Sequence, residues 1–272
     1  RFMEMAVIPY IEDKDAKLRA IDELPQSGKG KMIMTVEPKF IPNQAIEMVM
    51  DENFKVKVRL VDCVGYVIDG AKGYQDEQGI RYVKTPWYLE SIPFDQAAKI
   101  GTKKVIQDHS TIGIVITSDG SICDIPGANY NEATDDIIEE LLEIDKPFIV
   151  IINSRDINSV ACRQEYNRLT AKYDVPILTM DVTRMEEPQI VSLLKEALYE
   201  FKISEVRIEV PKWLAMLSNN HWLKQTLDNS LKESLQSIKK FKDVERIGDT
   251  ISEYDFADKA YLTGSDTTTS SA

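Results

Sequence analysis

Histidine is nearly missing from this chain: His109 and His221 are the two present, each alone. A triad built on imidazole, or a His-rich metal centre, has too little material, and structural roles are the expectation for both. Cysteine is almost as scarce. Cys63, Cys123 and Cys162 are scattered without C-x-x-C spacing. An odd, low count of that kind argues for a reducing cytoplasm and against zinc. Long apolar runs are lacking too, so no segment is built to cross a bilayer as a helix. The opening RFMEMAVIPY is too short and too polar for a signal peptide. Basic residues are outnumbered 33 to 45, leaving a net charge of −12. Such a surface repels nucleic acid unless a basic patch is segregated. The one basic stretch, SIKKFK at 237–242, lies in a helical pattern with acids on both sides and reads as a solvated helix face. No nucleic-acid partner is expected.

What remains is a chain of 272 residues, enough for one large domain or a domain with an appendage. Residues 45–51 and 54–62 alternate apolar and polar around DENF, which predicts an antiparallel hairpin whose second strand enters a buried sheet. TIGIVITSD at 111–119, PFIVIIN ending at Asn153 and PILTMDV at 176–182 are apolar runs of the kind that form parallel strands, the first of them central. Helical spacing fills the intervals at 95–109, 131–144, 158–172 and 187–201. Alternation of this kind predicts a doubly wound, mostly parallel α/β sheet with an antiparallel hairpin strand. Past residue 203 the pattern changes. SEVRIEVP predicts a strand, and Trp222, Leu223, Leu227, Leu231, Leu235, Ile238 and Phe241 predict one long amphipathic helix. The last ten residues, TGSDTTTSSA, cannot bury a core. The expected organisation is 1–202 as one α/β domain, 203–262 as the start of a second α/β region, and 263–272 as a flexible tail.

Ligands of doubly wound sheets bind at the carboxyl ends of strands, where Asp62, Ser118–Asp119 and Asn153 are expected. RLVDCVGY at 59–66 puts Asp62 at a strand end followed by x-x-Gly65. A carboxylate there can hold a water on Mg²⁺, and a glycine N–H can approach a terminal phosphate because no Cβ intervenes. A strand followed by an ordinary turn fits the same letters. The long Gly/Tyr-rich loop at 65–94 suits a functional or mobile segment. Upstream, LPQSGKGKMIMTVEPKF at 24–40 offers Thr35 as a hydroxyl for Mg²⁺, or simply as a surface-loop threonine. SGKGK is not a Walker A loop: it lacks the spacing, the Ser/Thr and the preceding strand. Lys29 or Lys31 could still reach phosphates from there. IVIINSRD at 149–156 resembles the guanine-reading Asn-Lys-x-Asp, with Asn153 first and Asp156 fourth but Ser154 where lysine belongs. Asn153 could equally cap the sheet edge.

Taken together, DELPQSGKGKMIMTVEPKFIPNQA, VRLVDCVGYVIDGAKGYQDEQGIRYVKTPWYLESIPF, IGTKKVIQDHSTIGIVITSDGSICDI, KPFIVIINS, LLKEALYEF and NHWLKQTLDNSLKESLQSIKKFKDVERI resemble the stage IV sporulation protein A family. These are the spore-coat morphogenetic ATPases of endospore-forming Firmicutes. The resemblance implies a P-loop NTPase fold, GTPase-like and of TRAFAC type, that hydrolyses ATP with Mg²⁺. It implies self-assembly into a polymer, the coat basement layer, in the mother-cell cytoplasm at the forespore surface. Other spore-coat morphogenetic proteins and the outer forespore membrane are the implied partners. Asp62 takes the place of the Walker B acid and Thr35 that of the sensor threonine, with Val36 where a second threonine is common. Tyr66 stands where Ras-like enzymes carry a water-orienting glutamine. The family's phosphate-binding loop belongs before residue 1, and RFMEMAVIP reads as the tail of the helix after it, stopped by Pro9. On that expectation the segment alone binds ATP poorly, and the family's C-terminal assembly contacts lie past residue 272. A translation-factor-type GTPase, suggested by Asp156, and a catalytically degenerate structural assembly protein are the alternatives.

Overall fold

The computed structural model describes residues 8–11, 13–22, 39–51, 54–76, 79–203, 205–206, 208–236 and 238–244. The chain divides into two compact units, residues 1–48 with 57–197, and residues 49–56 with 198–272.

The first unit is built on a parallel sheet of β7 (Gly113–Ser118), β8 (Phe148–Asn153) and β9 (Ile177–Met180), in that order. Register runs from Gly113 opposite Phe148 to Ser118 opposite Asn153, and from Ile177 opposite Val150 to Met180 opposite Asn153. β8 is apolar at five successive positions because both of its faces are covered. Val150 and Ile152 pack with Ile138 and Leu141 of α3 (Asn131–Ile144) and with Cys162 and Leu169 of α4 (Val160–Lys172). Ile149 and Ile151 face the other way, onto Leu193 and Ala197 of α5 (Glu187–Tyr199). Each such side chain contributes roughly 1.5–3 kcal/mol by leaving water. α3 stops at Asp145, held at φ 60, a left-handed turn that Asp tolerates better than most residues. α4 starts at Ser159, whose hydroxyl accepts from the Cys162 N–H.

Ahead of this sheet come α1 (Lys14–Asp22) and a two-stranded sheet of β1 (Lys39–Asp51) and β2 (Phe54–Asp62). A gap of two residues permits only antiparallel pairing. At its base the Phe40 ring meets His109 edge-on at 5.4 Å, and the Arg59 guanidinium lies 5.0 Å from the Phe40 centroid. Among the described residues β2 does not join the parallel sheet, contrary to the sequence expectation. Among the described residues β7 pairs on one side only, with β8, and Ile116 is 56% exposed. The segment 65–94 is not one open loop. It contains two small antiparallel ladders, β3 (Gln75–Asp76) with β4 (Gly79–Ile80) and β5 (Tyr82–Val83) with β6 (Ile92–Pro93). α2 (Phe94–Lys104) follows and widens into a π-helical turn at Val105–His109.

The second unit holds α6 (Lys212–Ala215) and α7 (Trp222–Gln236). No strand forms at 204–211 among the described residues; Ile208 and Val210 are more than a third exposed. α7 is shorter than its apolar stripe predicts. Its buried positions are Leu227, Ser230 and Ser234, the serines donating back to the Leu227 and Ser230 carbonyls at 2.9 and 2.8 Å. Phe241, expected on that helix, begins a 3-10 turn and stacks on Tyr199, centroids 5.9 Å apart. Nearby Glu200, 4% exposed, pairs with Lys240 and, at 2.7 Å, with Lys242. His221 Nδ1 accepts from the Leu223 N–H at the start of α7. The proposed tail at 263–272 lies outside the described residues, as do residues 1–7.

Candidate functional site

The carboxyl edge of the parallel sheet is organised by Asp119, the residue after β7. Its Oδ1 accepts from the Ser121 N–H at 2.9 Å and hydroxyl at 2.6 Å. Its Oδ2 accepts from the Ser154 hydroxyl at 2.6 Å and more distantly from Ser159 at 3.4 Å. One carboxylate thus joins the β7–α3 connection to the β8–α4 connection. Burial pushes the Asp119 carboxyl up, but the hydrogen bonds from Ser121, Ser154 and Ser159 together outweigh it and hold it below the ordinary range. The β7–α3 connection closes on itself. Gly120, at φ 90, and Gly127 press backbone to backbone: a Cβ on Gly120 would sit 2.5 Å from the Gly127 N, and one on Gly127 would sit 2.6 Å from the Asp119 O.

The three residues of the base-reading pattern gather at this edge. Asn153 ends β8, and its Oδ1 accepts from the Val182 N–H at 3.0 Å, so its side chain ties β8 to the exit of β9. Ser154 is fully buried and, besides Asp119, lies 2.9 Å from the Asp156 carbonyl. Asp156 is exposed, and its Oδ1 accepts from the Asn158 N–H at 3.0 Å in a local turn.

Asp62 closes β2 and is exposed. Gly65 follows at φ 75 with open space around its α-carbon, a left-handed geometry that favours glycine. The loop that continues from it reaches the β7–α3 connection, where the Asn129 amide donates to the Asp69 carbonyl at 3.0 Å. Tyr66, in the position compared with a water-orienting glutamine, instead donates its hydroxyl to Glu140 of α3. Burial first, then that carboxylate, push the phenol well above its usual range. Burial likewise raises the Cys63 and Cys162 thiols, which leaves neither a thiolate nucleophile at neutral pH. Thr35, Lys29 and Lys31 lie outside the described residues.

Sequence reasoning passed over Ser121, Ser159 and Glu140. The serines were legible as the caps and turns of S-D-G-S and N-S-V. Glu140 was not, because its partner is remote in sequence. A cleft of about 540 Å³ between α4, β9 and α5, with Cys162, Tyr166, Met180 and Leu193 among its walls, involves none of the candidate site residues read from sequence. Among the described residues no group of three acidic, His or Cys side chains could cage a metal, and no helix is long and apolar enough to cross a membrane.

Residues 1–202 match the family model for the stage IV sporulation protein A ATPase domain, which is a nucleotide-binding domain, and residues 203–272 match the middle domain of the same protein. Stage IV sporulation protein A of Bacillus subtilis (strain 168) is 50% identical over 267 residues, covering 97% of this chain and 54% of the relative. The Bacillus anthracis protein of that name is 48% identical over 98% of the chain and 54% of its own length. The Clostridioides difficile (strain 630) protein is 45% identical over 94% and 52%. The chain spans about half the length of these curated relatives, and no solved structure matches it. With a family model over most of its length and relatives of this identity, the chain belongs to the stage IV sporulation protein A family.

Proposed function

We propose that the whole protein hydrolyses ATP and that the hydrolytic cycle drives its assembly into the basement layer of the spore coat. The observation that carries this reading is the match of residues 1–202 to an ATPase domain. Parallel strands whose carboxyl ends carry Ser118, Asn153 and Met180 are compatible with a GTPase-like P-loop fold of TRAFAC type.

Asp62, an exposed carboxylate at a strand end, suits Mg²⁺, which keeps several waters and takes one or two carboxylates beside phosphate oxygens. In this reading Asp62 holds the ion through water and Thr35 through its hydroxyl. When bound, Mg²⁺ would neutralise phosphate charge. Gly65 offers its N–H to the terminal phosphate, and Lys29 and Lys31 approach from the Thr35 side. Thr35 orients the attacking water, a task open to it because the Tyr66 hydroxyl is engaged by Glu140. Asn153, Ser154 and Asp156 border the base. The Ser154 hydroxyl donates a hydrogen bond to Asp119 and offers no lysine stem to cover a guanine, which favours ATP. The partners in this proposal are further copies of the chain, other spore-coat morphogenetic proteins and the forespore outer membrane surface.

The test is phosphate release by full-length protein with Mg²⁺ and either ATP or GTP. Turnover of ATP in preference to GTP, and a Thr35→Ala variant that still binds nucleotide but does not turn it over, are the expected results. Preference for GTP would favour the translation-factor alternative, and no turnover of either would leave a purely structural assembly protein.

A further inference from the structure

α2 and α3 face each other through a ladder of charge. Lys99 and Lys103 stand four residues apart on α2, and Asp136 and Glu140 four apart on α3, so each pair shares a helix face. Lys99 Nζ lies 2.8 Å from Asp136 Oδ2 and Lys103 Nζ 2.7 Å from Glu140 Oε1. Tyr66 is wedged into this ladder: its ring lies 4.9 Å from the Lys99 ammonium, and its hydroxyl donates to Glu140 Oε2. Glu140 is 8% exposed, and a carboxylate so buried is costly unless both of its oxygens are answered. Lys103 answers one and Tyr66 the other.

Tyr66 adjoins Gly65, the hinge at φ 75 through which β2 leads into its loop. Whatever moves the Asp62–Gly65 turn must move this ring or break its bond. We propose that Tyr66 and Glu140 form a latch that positions the Asp62–Gly65 turn for the hydrolysis step. The pair are positioning residues, since neither touches the reacting atoms, and the assignment rests on the ATPase reading above. The raised Tyr66 pKa keeps the phenol a donor through the physiological range.

In full-length protein, Tyr66→Phe removes the hydroxyl and leaves the ring under Lys99. Steady-state ATP hydrolysis should show kcat reduced by at least about tenfold, the rate equivalent of the weaker hydrogen bonds to charged groups. KM should stay within about twofold, and the melting temperature should fall by a few degrees, because one oxygen of the buried Glu140 loses its donor. Glu140→Ala should lose kcat similarly, Glu140→Gln should retain most of it because an acceptor oxygen remains, and Tyr66→Phe with Glu140→Ala should be no worse than either alone. Unchanged kcat in Tyr66→Phe, or additive losses in the double variant, would overturn the latch. Hydrogen exchange gives a reading that does not depend on turnover: amides at 63–70 should exchange faster in Tyr66→Phe while those at 148–153 do not change. Equal exchange at 63–70 in the two proteins overturns the latch even if turnover falls. A wild type without ATP turnover would refute the ATPase reading instead, and exchange would then decide whether the latch exists.

Discussion

Replacing Asp119 by Asn tests whether a single charge holds the carboxyl edge of the sheet together. Asp119 takes two hydroxyl bonds at 2.6 Å, from Ser121 and Ser154, and one backbone bond at 2.9 Å. Hydrogen bonds to an ionised acceptor contribute roughly 1.5–3 kcal/mol each. Asn keeps one acceptor oxygen, Ser154 can turn its proton to the Asp156 carbonyl at 2.9 Å, and the carboxylate is only half-buried. Those discounts bring the expected loss to about 2 kcal/mol, or about 4–8 °C in melting temperature for a domain of this size. The sign with pH follows from the depressed folded-state pKa. A carboxyl held low in the folded state contributes in full above the ordinary aspartate pKa of about 4 and stops contributing as pH falls through the lower folded value. Thermal unfolding followed by circular dichroism at pH 7 and then in steps toward pH 3 should show the gap between wild type and Asp119→Asn closing. A gap that stays constant to pH 3 would mean that the charge is not the agent. No gap at pH 7 would mean that the two connections are held by something else.

Other expectations are narrower. Gly127→Ala should cost several kcal/mol, because its new methyl meets the Asp119 carbonyl oxygen at 2.6 Å, and chemical denaturation would read it; a loss under about 1 kcal/mol would show that the connection can open. Ser154→Lys, which completes the guanine-reading pattern, should destabilise the protein and not confer GTP use, since the position is fully buried; nucleotide competition and melting on the same sample check both halves. Arg168→Met should cost about 1–2 kcal/mol, because Asp135 and Glu165 each lose a partner at 2.9 Å. Ile149→Ala should cost about 2–5 kcal/mol, read by denaturation, since its side chain is fully enclosed against α5.

Helices were easier to read than neighbours. The acidic stripe at 131–144 gave α3 to the residue, and the apolar run before Asn153 gave β8, because each of these patterns is imposed by covering on known faces. β7 shows the limit: Gly-Ile-Val-Ile-Thr tells of a strand that wants company on both sides, not of who stands there, and among the described residues the hairpin strand β2, expected in a buried sheet, pairs with β1 alone. The strand expected over SEVRIEVP carries the same lesson: its described residues form none, and β-propensity is realised only against a partner edge. In α7 the apolar stripe overran the helix because leucine spacing records a face and not an end, and two serines took core positions by bonding their own backbone. At the candidate site, Asn153, Ser154 and Asp156 were legible from their letters. The hub at Asp119 and the Tyr66–Glu140 contact were not, since each depends on pairs 35 and 74 residues apart.

The back-to-back glycines of the β7–α3 connection bear on how this protein will be compared with others. Neither Gly120 nor Gly127 can gain a side chain without displacing the main chain of the other or of Asp119, so selection for space alone would preserve both. A pair of glycines seven residues apart, just beyond a parallel strand, invites the label of a phosphate cradle. In this molecule the two are kept by each other, and their persistence among relatives would measure the tightness of a knot in the chain.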